Sequence, residues 1–211
     1  MMTSILLISL LLPALSFSAI QCDQAVANRD LRIKLELQDI ELQPVSFLKK
    51  SQLVNLLSEQ DIERFYLGNK PAEPAASAFL LRSKSPNGGH RETFDGMWAI
   101  IYKNKPAGIL AMSAVSPEWL PSEVQSEFQK QSNSDLYLAV GYALKSQFRG
   151  QGIVSRALSA AIDYAKSELK AKYLFASANN LNQPSAEVLL SNGFHILFRD
   201  EKRSKFILRI N

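Results

Sequence analysis

Apolar residues recur at helical spacing most plainly over residues 153–169, where Val154, Ala157, Leu158, Ala161, Ile162, Ala165 and Leu169 share one face. Lys166 and Lys170 load the end of that helix, which suits the negative pole of its dipole. An apolar run at residues 136–144 reads as the preceding strand, and residues 173–178 as the following one. Pro184 stands where a further helix starts and Asn192-Gly193 where it stops. Residues 194–199 and 204–210 read as closing strands.

Upstream, Leu31, Ile33, Leu35 and Leu37 alternate with polar residues, and Ile40, Leu42 and Pro44 resume after a break. One bulged strand or two short strands are expected there. Ser51 is expected to cap a helix holding Leu53, Val54 and Leu57, and Ile62, Phe65 and Tyr66 mark a second short helix. Residues 97–102 and 108–114 form a hairpin pattern turned at Asn104, set off from Ala78–Leu81 by a loop over residues 83–96. Residues 117–133 read as an insertion with a helix over residues 123–131. The order β-α-α-β-β-β-α-β-α-β-β predicts a mixed α/β sheet with helices on both faces.

Composition narrows the class. The 211 residues, 46% hydrophobic and 21% charged, suit one globular domain with an ample core. A net charge of +4 suits an anionic ligand. Lys and Arg are scattered with no dense run among aromatics, so nucleic acid is not an expected partner. Cys22 is the sole cysteine, which excludes an internal disulfide and any multi-cysteine metal site; His90 and His195 lie in no metal-ligand spacing. No metal is expected.

Residues 1–22 read as a leader ahead of a single domain over residues 29–211. No charged side chain precedes Asp23, and residues 5–20 are almost wholly apolar, interrupted by Pro13. The stretch is shorter than the roughly 20 residues a spanning helix prefers. It has the length of a signal peptide's apolar region, with Ser16-x-Ser18 as a cleavage site, but no basic residue precedes it. Arg29, Arg32 and Lys34 follow it, which favours a cytoplasmic C-terminal side.

Between the central strand and the best-defined helix lies Gln147-Phe148-Arg149-Gly150-Gln151-Gly152. Two glycines at such a turn let the backbone approach a ligand, so that consecutive N–H groups face one anion. The helix adds its positive end at the same spot. A nucleotide P-loop is excluded because no lysine follows Gly152, and a dinucleotide fingerprint because the third glycine is missing. Gln-x-x-Gly-x-Gly instead resembles the acyl-CoA pyrophosphate loop of the GNAT superfamily of N-acetyltransferases. Downstream, Asn182-Gln183-Pro184-Ser185, Leu189 and Gly193-Phe194 resemble that superfamily's N-x-x-S…L…G-F ending. Gly141-Tyr142 resembles the Gly-Tyr strand of its ribosomal-protein N-terminal acetyltransferase branch. The specific match covers residues 136–194.

The resemblance implies a mixed, mostly antiparallel central sheet flanked by helices, and an acetyltransferase that takes acetyl-CoA and an amine acceptor. That acceptor is a small molecule or a protein N-terminus. Backbone N–H groups of Phe148, Arg149, Gly150, Gln151, Gly152 and Ile153 would bind the CoA pyrophosphate, with Gln147 or Arg149 as side-chain support. Tyr142, Ala143 and Leu144 would pair with the pantetheine arm. Asn182 would orient that arm, and Ser185 would act as general acid toward the departing thiolate. A cap and a turn are the alternative roles of Ser185 and Asn182. The paired helices of residues 51–66 would form an acceptor-side wall, core packing being the alternative. The insertion would border the acceptor entrance.

No carboxylate occupies residues 137–140, where many relatives carry a glutamate base. Asp135, Glu118, His195 and Asp200 are substitutes without a positional argument, and His195 reads better as a satisfied strand residue. Freeing an α-amine of pKa about 8 at pH 7 costs about 1 kcal/mol, against about 4.6 kcal/mol for a lysine. The missing base therefore tilts the acceptor toward an α-amine. An acetyl-CoA enzyme must sit where acetyl-CoA is, so a cytoplasmic domain with a leader contacting a membrane through residues 5–20 is expected; export after cleavage is the alternative. A non-catalytic acyl-CoA-binding module on a degenerate fold is the rival function.

Overall fold

The computed structural model describes residues 39–83, 95–116, 125 and 136–210. The leader, the alternating residues 31–37 and nearly all of the 117–133 insertion lie outside the described residues, as do Asp135 and Glu118. Among the described residues no helix is long and apolar enough to cross a membrane.

Among the described residues seven strands form one sheet. In chain order they are β1 (Ile40–Pro44), β2 (Asp95–Tyr102), β3 (Lys105–Ala114), β4 (Leu136–Leu144), β5 (Ala171–Asn179), β6 (His195–Arg199) and β7 (Arg203–Arg209). Their spatial order is β1-β2-β3-β4-β5-β7-β6, and β4 against β5 is the parallel pair in an otherwise antiparallel sheet. Among the described residues the helices α1 (Lys50–Leu57), α2 (Ala72–Arg82), α3 (Ile153–Ser167) and α4 (Gln183–Ser191) flank it. The expected mixed, mostly antiparallel α/β architecture is the one observed.

Periodicity explains which faces are covered. In α3, Val154, Ala157, Leu158, Ala161 and Ala165 pack with Trp98, Ile100, Leu110, Met112 and Leu138 on one face of the sheet. On the other, Leu53, Leu56 and Leu57 of α1 and Ala76 and Phe79 of α2 meet Met97, Ala99, Ile109 and Ala143. Trp98, Phe175, Phe194 and Phe206 are fully buried, each worth about 1.5–3 kcal/mol of transfer free energy. The β2–β3 turn is tight because Lys103 and Asn104 both take positive φ (48° and 62°), the pairing whose twist matches the strands.

Two upstream expectations change. Ser51 does not cap α1: the helix begins at Lys50, and the Lys49 N–H donates to Gln52 Oε1 at 2.9 Å. Residues 62–66 coil as a single π-helical turn, and the second full helix is α2. Its sequence hides it, since Pro74 sits in the first turn and the buried residues include only two alanines and Phe79.

Candidate active site

The site begins where the parallel pairing fails. β4 and β5 are in register from Leu136↔Ala171 to Ala139↔Phe175 and no further. Beyond that point β4 stays with β3 as far as Leu144↔Gly108, and β5 stays with β7 as far as Asn179↔Arg203. The two strands splay into a cleft of about 740 Å³. β3 holds its side of the fork closely: a Cβ at Gly108 would lie 2.3 Å from the Ala143 carbonyl oxygen.

Register decides which peptide groups the cleft receives. The bonds Lys145 N–H to Ala107 O and Val115 N–H to Tyr137 O, both 2.9 Å, make odd-numbered β4 residues the hydrogen-bonded partners of β3. Val140, Tyr142 and Leu144 therefore turn their peptide groups toward the fork. Ala143 lines the cleft, but its peptide groups belong to the β3 ladder. The Leu144 carbonyl already accepts from Arg149 Nε at 3.2 Å.

At the mouth, a short 3-10 turn (Ser146–Phe148) leads into Gly150 and Gly152, with φ of 74° and 67°. No side chain caps α3, so its first N–H groups are left to a ligand. A Cβ on either glycine would meet nothing within 4 Å, so the space over the turn is open. Phe148, Arg149, Gly150, Gly152 and Ile153 line the cleft; Gln147 and Gln151 are exposed outside its lining, with Gln151 Nε2 donating to Gln147 O at 3.4 Å. Arg149 Nη1 pairs with Asp61 Oδ2 at 2.7 Å, and Glu59 accepts from the Ser146 N–H at 2.8 Å. The loop is thereby tied to the segment that opens the π-helical turn.

The two faces of the sheet meet in this fork. On the α3–α4 side stand Asn182, Ser185 and Tyr142. Asn182 caps α4, its side chain accepting from the Ser185 N–H at 3.4 Å, with Pro184 in the first turn. The Tyr142 hydroxyl donates to the Ser185 carbonyl at 2.8 Å and accepts from Ser185 Oγ at 3.2 Å. Burial pushes the Tyr142 phenol up to about 12, with the Ser185 bond opposing. On the other side stand Ile62, Phe65 and Tyr66, whose ring would lie 3.5 Å from a Cβ on Gly141. Burial raises the Tyr66 phenol; nearby Arg82 opposes the rise and Asp95 adds to it. Arg82 and Asp95 are ion-paired behind Tyr66, and Ser113 Oγ donates to Asp95 at 2.8 Å.

Ser177, Asn179 and Arg203 also line the cleft and escaped the sequence reading. The signal for Ser177 and Asn179 was present in β5: Tyr173 and Phe175 fill one face, and the next residues on that face turn polar where the core ends. His195 lies exposed at the head of β6, and Asp200 accepts from the Lys202 and Arg203 N–H groups at 2.7 Å each. Those two bonds hold the Asp200 carboxyl below its usual range. Neither residue lines the cleft; among the described carboxylates, Asp61 and Glu187 do.

The family model "Acetyltransferase (GNAT) domain" matches residues 39–195, so the chain belongs to the GNAT acetyltransferase family and is an acyltransferase that uses acetyl-CoA. Its fold is similar to that of a GNAT-family acetyltransferase from Bacillus anthracis, at 15% identity over 85% of this chain and 98% of that one (TM-score 0.61). It is similar likewise to the Salmonella typhimurium acetyltransferase that modifies the N-terminal serine of ribosomal protein L7/L12, at 18% identity over 83% and 97% (TM-score 0.60). A third similar fold is the microcin C7 self-immunity acetyltransferase MccE, in complex with acetyl-CoA and AMP, at 21% identity over 82% and 94% (TM-score 0.57). No curated protein sequence matches the chain.

Proposed function

We propose that the acceptor is an α-amine, as in the ribosomal-protein N-terminal branch, and that the thioester is delivered through the β4–β5 fork. The failed pairing after Ala139 carries this reading, since it frees strand peptide groups beside an uncapped helix start. The diphosphate of acetyl-CoA would rest on the N–H groups of Gly150, Gln151, Gly152 and Ile153; those of Phe148 and Arg149, expected from sequence to join them, already donate to the Lys145 and Ser146 carbonyls at 3.0 and 3.1 Å. The pantetheine amides would pair with the peptide groups of Val140 and Tyr142, one of whose N–H groups would polarise the thioester carbonyl. Leu144 is less available, because Arg149 holds its carbonyl.

The amine nitrogen attacks the carbonyl carbon, the tetrahedral adduct collapses, and the C–S bond breaks to leave the CoA thiolate. Proton affinities assign the roles. A thiol ionises near 8.5, so full transfer from a phenol at about 12 would be uphill by about 5 kcal/mol. Ser185 Oγ would therefore turn its hydrogen bond from the Tyr142 oxygen to the developing thiolate, while Tyr142 keeps its own on the Ser185 carbonyl, and the acetylated nitrogen supplies the proton. An α-amine needs little help in losing its first proton, which suits a cleft whose Asp61 is already paired with Arg149.

The test is thiol release with purified protein and a panel of peptides, each with a free or blocked N-terminus, beside lysine-bearing and polyamine acceptors. Turnover confined to free α-amines supports the reading. Tight CoA binding without turnover on any amine would leave an acyl-CoA-binding module. The same reading keeps the domain in the cytoplasm, with residues 5–20 against a membrane. Recovery of a mature chain starting near Ala19 outside the cytoplasm would contradict it.

A further inference from the structure

Charge around the fork is unevenly compensated. Arg149 is neutralised by Asp61, and ion pairs likewise engage Arg82 with Asp95, Arg156 with Asp39 and Lys50 with Glu73. Arg203 also lines the cleft; the Asp200 carboxylate lies near enough to interact with it electrostatically, but among the described residues no ion pair holds its guanidinium. Its contact is Nη1 to Ser177 Oγ at 3.4 Å, a long bond to a neutral hydroxyl. A guanidinium facing a partly enclosed cleft with one of its five N–H donors engaged is built to take a planar anion in two parallel bonds.

The register says on which face that guanidinium stands. Phe206 packs with the α3 side, whereas Ile207 packs with Tyr137, Tyr173 and Phe175 on the opposite face. Alternation then places Lys205 and Arg203 with Ile207, and Ser177 and Asn179 with Phe175. Tyr66 faces Gly141 across the fork on this same face. Arg203 thus stands away from the α3–α4 face where the glycine turn and the Tyr142–Ser185 pair would hold the CoA ester. The remaining carboxylate of the lining, Glu187, belongs to α4 on the donor side.

We infer that the acceptor carries a carboxylate close to its reacting amine, and that Arg203, with Ser177 and Asn179 beside it, binds that carboxylate and selects the substrate. This rests on the acetyltransferase reading of the same cleft. Two sources supply the chemistry: the α-carboxylate of a free amino acid, or an acidic side chain next to a peptide N-terminus. An amine without an anion would leave the guanidinium unpaired in the substrate complex, which is the basis of the selectivity.

The experiment compares C-terminally amidated peptides Ala-Asp-Ala and Ala-Asn-Ala, together with free alanine and alaninamide, as acceptors. Wild type is expected to favour the charged member of one pair by about tenfold in kcat/KM, the size of one charge-assisted hydrogen bond; the preferred pair identifies the source. In Arg203→Gln that ratio should fall to about one, and Arg203→Lys should restore part of it, since a point charge replaces a fork. Equal use of charged and neutral members by wild type, or a ratio unchanged in Arg203→Gln, overturns the inference while leaving the acetyltransferase reading intact. Calorimetry of the same pairs on the CoA-saturated protein separates the two ideas: a charge preference in binding with no turnover would uphold the carboxylate site and sink the transferase.

Discussion

Tyr142 and Ser185 hold each other across the fork, the phenol donating to the Ser185 carbonyl at 2.8 Å while Ser185 Oγ donates back at 3.2 Å. A strand residue thereby fixes the start of α4 against β4, at the point where the thioester sulfur would lie. Ser185→Ala is expected to lower kcat by about ten- to a hundredfold, at the low end of proton-handling groups, with CoA affinity changed little. Single-turnover kinetics beside CoA titration check the split. Unchanged turnover would return Ser185 to a structural role.

The buried phenol also makes a prediction about pH. The folded protein holds the Tyr142 proton to about 12, whereas an unfolded tyrosine loses it near 10. The stabilisation is therefore complete below pH 10 and is lost as pH rises through about 12. In denaturant titrations, wild type should lose more stability over that window than Tyr142→Phe. The phenolate absorbance attributable to Tyr142 should appear only at its upper end, and a midpoint near 10 would contradict the burial argument.

Gly108 is required by close approach. A methyl group 2.3 Å from the Ala143 carbonyl oxygen cannot be accommodated without moving backbone. Gly108→Ala is expected to destabilise by about 1–3 kcal/mol, as overpacking does, measured by chemical denaturation. Because the displaced strand is β4, CoA affinity should fall along with stability.

Arg149 and Asp61 join the glycine turn to the π-helical side, but both side chains are about half exposed. Such a pair contributes about 0–1 kcal/mol. Asp61→Asn should leave the melting temperature nearly unchanged and free Arg149 to turn toward a diphosphate, so that CoA affinity holds or rises. A marked fall in affinity would show that the pair shapes the turn.

The strong periodicity of Val154 to Ala165 and the spacing of the glycines made α3, its loop and the two adjoining strands legible in sequence, because these features are local. The helix stop at Asn192-Gly193 was legible for the same reason, the Phe194 N–H returning to the Leu189 carbonyl within one turn; the cap, expected at Ser185 with Asn182 fixing the turn, falls on Asn182 instead. What escaped depends on distant parts. Nothing near Arg203 in sequence says that it faces Ser177, 26 residues away, across a strand pair. The loss of β4–β5 pairing is likewise a property of two strands with a helix between them, as is the turning of Ala143's peptide groups toward β3. α2 was missed because alanines bury a face without marking it.

Calorimetric titration of CoA into wild type and Gly152→Val addresses the cradle most directly. A left-handed φ of 67° and a side chain over the open turn should together cut affinity by at least about tenfold, with wild type binding one CoA per chain. Failure of folded wild type to bind CoA, or equal affinity in a folded Gly152→Val variant, would contradict the account.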